Sequence, residues 1–318
     1  MVAFHAFQFA GDAFWIGAAG VDVFFVISGF IIWTQVMRPD AAPGAFLWRR
    51  LTRVAPAYWL VTGLVAVVAG VWPRLMPEVT LSPTHLALSL AFIPHDDPLG
   101  RMFPVLAPGW TLTYEASFYL LAGVSLLAPA GARLGLVLGA LATASLAGFV
   151  FTPLYELDFN PMLLQFAAGI WLAHRRTRGR DLPAGAGVVF GALGVAALAA
   201  LWLTGVNDIL FRPLFWGLPA LMIVAGALAL EPVRSLAPPR ALIRLGDASY
   251  SVYLCHLPVI TLVAAVARSW TGAMFPALAI ACALAAGMAF RHVVETPLIA
   301  ALRALPARAA PRRRAQLA

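Results

Sequence analysis

The stretch GVDVFFVISGFII, residues 20–32, decides the fold class of this chain. It is apolar enough to lie in lipid, and it belongs to an apolar run, 17–37, which has the length of about 20 residues that a spanning helix needs. The stretch nevertheless contains Asp22 and Ser28. An ionisable side chain inside a span costs about 2.5–3.5 kcal/mol on insertion scales, so such a residue is a candidate for function.

The composition of the whole chain agrees with this stretch. Hydrophobic residues make up 62% of the 318 residues and charged residues 11%, whereas soluble domains have about 45–50% and about 25%. An integral membrane protein is therefore indicated, with the lipid bilayer as a partner. The net charge of +8 comes from arginines between apolar runs and in the tail, which predicts cytoplasmic loops and no nucleic-acid partner. Cys255 and Cys282 lie in apolar runs and imply no disulfide framework.

The apolar runs predict an all-α, polytopic membrane protein with about ten transmembrane helices. The first run, 1–9, is too short to span, so we expect that upstream residues are missing and that the first helix is truncated. The piece 86–94 is also short and is expected to be re-entrant or interfacial. The runs counted as spanning are 17–37, 55–72, 112–130, 133–152, 161–174, 184–205, 213–230, 247–267 and 273–294.

Arginines orient these spans. They are concentrated in the connections 38–54, 175–183 and 231–246 and in the tail from 303. The alternate connections are weakly charged or acidic; their acids include Asp12, Glu78, Asp96, Asp97, Glu156 and Asp158. By the positive-inside rule, both termini are predicted to be cytoplasmic.

His5, Asp22 and Glu115 are predicted to lie at one depth. Each lies a few residues inside the outer end of its span, which corresponds to about 6–8 Å at 1.5 Å per residue. If the three share a cavity, a carboxylate orients His5, which then acts as a general base for a hydroxyl. Other interpretations stay open: an interfacial His5, a helix-capping Asp22 and a Glu115 stabilised by the helix dipole.

Other polar positions in the spans have two interpretations each. Ser28, followed by Gly29, fits close helix packing as well as function, and His256 fits a hydrogen-bonded packing histidine as well as a functional one. Arg291 and Glu295 are four residues apart and predict a local ion pair. We assign no role to the histidines in or beside predicted loops: His85, His95 and His174.

The segment FLWRRLTRVAPAYWL, residues 46–60, carries the second candidate site. Arg50 and Arg53 are three residues apart and share a helix face. Arginine binds phosphate bidentately, so the pair is a candidate phosphate clamp at the cytoplasmic side, with an ordinary positive-inside anchor as the alternative. A phosphate clamp below an outward-facing base suggests a phosphorylated donor inside and an acceptor above.

Six pieces of the sequence together resemble the acyltransferase 3 family of bacterial membrane O-acyltransferases. They follow the family order and cover essentially the whole chain: FHA at His5, GAAGVDVFFVISGFII, FLWRRLTRVAPAYWL, PGWTLTYEASFYLL at 108–121, LGDASYSVYLCHLPV at 245–259 and HVVETPL at 292–298.

The resemblance implies ten transmembrane helices in the bacterial inner membrane. It also implies transfer of an acyl group, usually acetyl, from cytoplasmic acyl-CoA to a hydroxyl of a surface or exported carbohydrate, or of a small molecule such as a macrolide. Acyl-CoA is then a co-substrate, with no permanently bound cofactor and no metal. Residues 1–302 would form the acyltransferase transmembrane domain. The composition of residues 303–318 predicts a basic cytoplasmic tail that is disordered or, from Pro306, faces the lipid.

The resemblance also implies roles for particular residues. His5 matches the family histidine, which follows an arginine by about eleven residues, or about 16 Å along a helix; that arginine would fall before Met1. His5 is the expected base, with Glu115 or Asp22 in support, and a covalent acyl-histidine relay is the alternative. Arg50 and Arg53 are expected to bind acyl-CoA. Substrate binding or structural support is expected of Ser28, Trp110 and His256.

Two other classes stay open from the sequence. A transporter of a carbohydrate or lipid-linked substrate would have the same spans and buried acids, although no inverted repeat of broken helices is visible. A non-catalytic scaffold would tolerate loss of His5 and Glu115 together. No phosphate-binding loop, dinucleotide turn, metal-ligand spacing or nucleophile elbow is found.

Overall fold

The computed structural model describes residues 1–11, 14–150, 160–206, 211–233, 237–267 and 274–309. Within these ranges the chain forms α-helices and short helical turns, and no β-strand. The α-helices are α1 (Val2–Phe9), α2 (Ala19–Val36), α3 (Pro43–Val71), α4 (Pro83–Leu90), α5 (Trp110–Ser125), α6 (Ala130–Val150), α7 (Leu163–Thr177), α8 (Ala184–Thr204), α9 (Leu218–Leu230), α10 (Arg240–Asp247), α11 (Ser249–Val266), α12 (Met274–Phe290) and α13 (Thr296–Ala309). The predicted all-α fold is confirmed.

Seven helical segments among the described residues are long and apolar enough to cross a membrane. They are Trp15–Val36, Pro43–Val71, Ala130–Val150, Ala184–Thr204, Pro213–Leu230, Ser249–Val266 and Met274–Ala304. The other three predicted spans are helical as α1, α5 and α7, but these have 8, 16 and 15 residues. A polytopic membrane protein is therefore confirmed, and the number ten stays a prediction.

Several predictions concern residues outside the described ranges. Asp12, Glu156 and Asp158, which entered the charge pattern, lie there, as does the end of the tail, 310–318. The predicted domain boundary at 302 falls inside α13, which ends at Ala309. The division into a domain and a tail stays a prediction.

The long connection between α3 and α5 is ordered by its own side chains. It includes α4, which begins after Ser82, whose hydroxyl accepts the backbone N–H of His85 at 3.1 Å, and Pro83 occupies the first turn. The predicted short piece 86–94 thus belongs largely to a capped helix that contacts α3: Tyr58 of α3 donates its hydroxyl to the Ser89 carbonyl at 3.0 Å.

The two ends of the helix bundle differ in chemistry. α3 begins at the end that carries Arg50 and Arg53, which we call the arginine end. It finishes at the opposite end, which carries the connection 72–109 and which we call the loop end.

α2 and α7 cross at two glycines. A Cβ atom on Gly29 would collide with the backbone carbonyl of Phe166, and one on Gly169 would collide with the carbonyl oxygen of Val26. The helices approach this closely because neither residue has a side chain at the crossing. The close-packing interpretation of the Ser28–Gly29 pair therefore holds for Gly29.

Replacement of Gly29 by Ala is expected to destabilise the protein by about 1–3 kcal/mol, because the added methyl group meets backbone atoms that cannot move aside. The measurement is thermal unfolding of the purified protein in detergent. Gly63→Ala on α3 is the matched control, since a Cβ atom there meets nothing within 4 Å, and helix propensity favours Ala. Equal melting temperatures for the two variants would contradict the crossing geometry.

Candidate active site

A cavity of about 570 Å³ opens at the loop end, and we call it the loop cavity. α1, the connection 72–109 and α11 form its walls. His5 and Trp110, two residues singled out from the sequence, both line it. Its polar wall also includes Gln8, His85, Asp97 and Arg101.

The ring of His5 is held in one tautomer by its own helix. Its Nδ1 lies 3.3 Å from the side-chain carbonyl oxygen Oε1 of Gln8. A carbonyl oxygen only accepts, so Nδ1 carries the proton and Nε2 of the neutral ring keeps its lone pair. A nitrogen with a lone pair, on a half-buried ring in a cavity wall, meets the first requirement for a general base.

His256 is the aromatic neighbour of His5 on α11. The two ring centroids are 5.2 Å apart. His256 is fully buried; its Nδ1 donates to the backbone carbonyl of Tyr253 at 2.6 Å. Its Nε2 has no hydrogen-bond partner among the described residues. The structure therefore brings together two of the predicted site residues, from helices far apart in sequence.

Asp22 lies in a different environment, and the prediction that it supports His5 needs correction. It is fully buried and accepts from Arg212 at two atoms, Nη2 at 2.7 Å and Nε at 3.0 Å. Gln165 of α7 donates a further hydrogen bond to it at 2.5 Å. The sequence predicts the depth of Asp22 along α2, but the rotation of α2 about its axis turns this carboxylate towards Arg212 and α7.

Sequence reasoning missed Arg212. The residue stands directly before Pro213, at the start of an apolar run and in a connection that the charge pattern assigns to the outer side. Its position was the available signal: Arg212 departs from the positive-inside pattern at the edge of a span. A charge in such a place requires a partner, which makes the residue a candidate for an ion pair.

A second cavity, of about 440 Å³, lies between α2, α3, α5 and α11, and we call it the arginine cavity. Arg50, Arg53, Ser28 and Glu115 line it. Glu115 is buried and accepts hydrogen bonds from Ser28 Oγ at 3.0 Å and from the hydroxyl of Tyr119. The prediction that Glu115 orients His5 is therefore corrected as well: Glu115 belongs to the arginine cavity, whereas His5 lines the loop cavity.

The two arginines of this cavity differ in charge balance. Arg50 donates to the neutral amide oxygen of Gln35, and its buried Nε has no partner among the described residues. Arg53 forms an ion pair with Glu295, a buried carboxylate that also accepts from Ser251. Arg50 thus retains the less compensated positive charge at the cavity wall.

The pairing of Glu295 overturns another prediction. We expected a local pair with Arg291, but Arg291 instead donates to the backbone carbonyl of Asp247, and its guanidinium lies 4.0 Å from the carboxylate of that residue. The segment Arg291–Glu295 is a turn of π-helix. Glu295 instead faces Arg53 of α3 and Ser251 of α11, so its partners come from neighbouring helices and not from its own turn.

The two cavities adjoin. Met1 and Tyr253 line both of them. The hydroxyl of Tyr253 is fixed by donation to the Pro108 carbonyl at 2.8 Å and by contact with Thr111 Oγ1 at 2.7 Å. Across the described part of the chain, no group of three or more His, Cys, Asp or Glu residues is arranged to hold a metal ion. The candidate site therefore consists of two adjoining cavities: the arginine cavity, lined by Arg50 and Arg53, and the loop cavity, lined by His5.

The model of a protein family described as an acyltransferase domain matches residues 1–292. The chain belongs to this acyltransferase family. The resemblance drawn from the six sequence pieces is thereby confirmed. Since several of its helices are long and apolar enough to cross a membrane, this acyltransferase is a multi-pass membrane protein.

Curated relatives of this acyltransferase extend the comparison. Exopolysaccharide production protein ExoZ of Rhizobium meliloti (strain 1021) is 39% identical over 306 residues, which cover 93% of this chain and 94% of the relative. The putative membrane-bound transacylase BcsY of Komagataeibacter xylinus is 31% identical, over 81% of this chain and 69% of its own. Acyltransferase MdmB of Streptomyces mycarofaciens is 29% identical, and the match covers 89% of this chain and 81% of MdmB. No solved structure gives a significant match.

Proposed function

We propose that this acyltransferase moves an acyl group, with acetyl as the first candidate, from acyl-CoA in the arginine cavity to a hydroxyl of a carbohydrate in the loop cavity. The observation that carries the proposal is the meeting of the two cavities at Met1 and Tyr253, with Arg50 and Arg53 in one and His5 in the other. The carbohydrate acceptor is supported by the relative whose name refers to exopolysaccharide production.

The donor side follows from the arginines. Coenzyme A carries phosphate groups, and a guanidinium offers two parallel N–H donors to a phosphate. Among the described residues no carboxylate forms an ion pair with Arg50, whereas Arg53 is paired with Glu295. Arg50 therefore supplies the main phosphate contact in this proposal, and Arg53 a supporting one. The arginine end faces the cytoplasm, the side on which acyl-CoA is found, and the membrane is the bacterial inner membrane.

The acceptor side follows from His5. Nε2 of His5 takes the proton of the acceptor hydroxyl while the hydroxyl oxygen attacks the thioester carbonyl carbon. The carbon–sulfur bond breaks, the acyl group forms an ester with the acceptor, and the coenzyme A thiolate leaves and is then protonated. Gln8 holds the other ring nitrogen throughout, since its carbonyl oxygen accepts from Nδ1 in both the neutral and the protonated ring.

The test is transfer of label. Purified protein in lipid nanodiscs is incubated with acetyl-CoA labelled in the acetyl group and with de-O-acylated exopolysaccharide. Alkali-labile label in the glycan is the expected result. Absence of label, together with uptake of glycan into proteoliposomes, would contradict the proposal in favour of a transporter. Absence of both label in the glycan and glycan uptake would favour a non-catalytic scaffold.

Replacement of Arg50 by Gln is expected to weaken acyl-CoA binding about 10- to 100-fold, the usual effect of losing a hydrogen-bonded charge. The dissociation constant is measured by titration calorimetry. Arg49→Gln is the matched control, because it removes the same charge from the same turn of α3, yet Arg49 lines neither cavity. Equal weakening in both variants would assign the effect to general charge at this end of the bundle.

A further inference from the structure

His85 is a histidine of the loop cavity for which the proposed chemistry gives no role. It lies on α4, is only 3% exposed, and lines the same cavity as His5 and Trp110. A buried imidazole in the wall of a cavity offers a directional hydrogen-bonding group to whatever binds there.

A chain of hydrogen bonds fixes the tautomer of His85. The backbone carbonyl of Ile93 accepts from Nδ1 of His95 at 2.7 Å, so the neutral ring of His95 has a lone pair on Nε2. That Nε2 lies 2.7 Å from Nδ1 of His85, which must therefore be the donor. The remaining nitrogen of His85, Nε2, keeps a lone pair for an outside donor.

The pKa of His85 is lowered from the ordinary value for histidine, which favours the uncharged ring. Burial lowers the pKa of His85, and the adjacent ring of His95 lowers it further, against the opposing effect of Asp97. His85 can therefore accept a hydrogen bond from a hydroxyl group at its Nε2.

The wall that holds His85 is rigid. The Ser82 hydroxyl caps α4 at the N–H of His85, and the carbonyl of His85 accepts from Ser89 Oγ at 2.7 Å. Ser89 Oγ in turn accepts from the N–H of Val105 at 3.0 Å. The position of the ring is thus set before a ligand arrives, which lowers the entropic cost of binding.

The charge in this wall favours a neutral ligand. Arg101 is engaged by Asp97 at 2.7 Å and by Glu78 at 3.4 Å. Burial alone would raise the pKa of Asp97, but hydrogen bonds from the backbone and guanidinium of Arg101 and from the backbone of Leu99 lower it to about 2. The carboxylate is ionised near pH 7, and the guanidinium of Arg101 is therefore occupied rather than available to an anion.

We propose that the loop cavity is a subsite for a neutral sugar, in which Nε2 of His85 accepts a hydrogen bond from a sugar hydroxyl and Trp110 offers an aromatic surface to the sugar ring. Trp110 is half-buried in the same wall, and aromatic side chains combine a flat apolar face with a polar edge. The inference rests on the proposed function, since it names the part of the acceptor that the cavity recognises. His85 binds the acceptor here, while His5 does the chemistry.

The test uses two properties of asparagine. In His85→Asn, the side-chain amide occupies the place of Nδ1 and keeps a donor for His95, but the variant has no atom at the position of Nε2. Binding of the neutral tetrasaccharide cellotetraose to the purified full chain is measured by titration calorimetry at pH 7. We expect binding by the unchanged protein and about three- to tenfold weaker binding by His85→Asn, the usual effect of one neutral hydrogen bond. His174→Asn on α7 is the matched control and is expected to bind normally, because His174 lines neither cavity.

Equal affinity of His85→Asn and the unchanged protein would overturn the proposal, as would failure of the unchanged protein to bind cellotetraose. The labelled transfer assay separates this inference from the proposed function. Binding that depends on His85 without any transfer would keep the sugar subsite and reject the acyltransfer scheme. Transfer with the same KM for the glycan in His85→Asn would keep the scheme and reject the subsite.

Discussion

Replacement of His5 by Gln is expected to lower the rate of acyl transfer about 100- to 10,000-fold, the range that a general base contributes. Gln removes the basic nitrogen but is polar and of similar length. Acyl-CoA affinity is expected to remain unchanged, because His5 lines the loop cavity and Arg50 lines the arginine cavity. The measurements are initial rates with labelled acetyl-CoA and the dissociation constant of acyl-CoA on the same preparation.

Two variants test whether the effect belongs to the base itself. His174→Gln makes the same substitution on α7, away from both cavities, and is expected to leave the rate unchanged. Gln8→Leu removes the partner of Nδ1 but leaves the ring, so a smaller loss is expected. A rate for His5→Gln within about threefold of the unchanged protein would remove His5 as the base, given what such groups contribute.

The same variant separates a base from a covalent relay only with a further measurement. With acyl-CoA alone, a relay would leave an acyl group on the imidazole of His5, detectable by intact-protein mass spectrometry, whereas a base would leave none. In both cases His5 is needed for transfer, so the loss in His5→Gln is expected under either mechanism.

Replacement of Asp22 by Asn is expected to destabilise the protein by about 3–5 kcal/mol, because it leaves Arg212 buried without its counter-ion. The carboxylate is fully buried, and the side chain of Arg212 is 12% exposed. The measurement is thermal unfolding in detergent, with tryptophan fluorescence as the signal. Arg176→Gln is the control, since Arg176 forms a pair of the same 2.7 Å length with Glu231, but the two side chains are 32% and 62% exposed. Its expected effect is about 0–1 kcal/mol.

The double variant Asp22→Asn with Arg212→Gln decides between a structural and a catalytic Asp22. Removal of both charges is expected to restore much of the stability lost in the single variant. If Asp22 acts only through Arg212, acyl transfer returns with the fold. A stable double variant without activity would instead return Asp22 to the catalytic set and contradict the assignment made from its contacts.

The two corrected carboxylates show how far sequence reasoning about the site extends. Asp22 and Glu115 were predicted at the depth of His5, and each does prove to be a buried acid with several hydrogen-bond donors around it. Their donors could not be predicted. Arg212 lies 190 residues after Asp22, and Ser28 lies 87 residues before Glu115. Pairings of this kind depend on how each helix is rotated about its axis, and this rotation could not be predicted from the residue pattern of a single sequence.

The histidines also differ in how much of their role the sequence predicts. His5 was found by its place near the end of an apolar run and by its match to the family. The sequence allows His256 either a packing or a functional role, and its closeness to His5 depends on how α1 and α11 lie side by side. His85 and His95 have no role in the sequence-based prediction, because they fall in or beside predicted loops. Their contact depends on a turn after α4 that includes Phe92, a residue with a positive φ of 57°. A non-glycine residue in that conformation is seldom predicted from sequence.

What the sequence by itself determined was the membrane fold, the order of the helices and the identity of the family. Hydropathy summed along about 20 residues decides whether a helix is stable in lipid, and this sum is a local property of the chain. What only the tertiary structure decided was the division of the polar residues between two cavities and the partner of each buried charge. The approach of helices at Gly29 and the rotation of α2 towards Arg212 are set by packing between distant segments. Since that packing depends on all the contacting side chains together, no local pattern in the sequence encodes it.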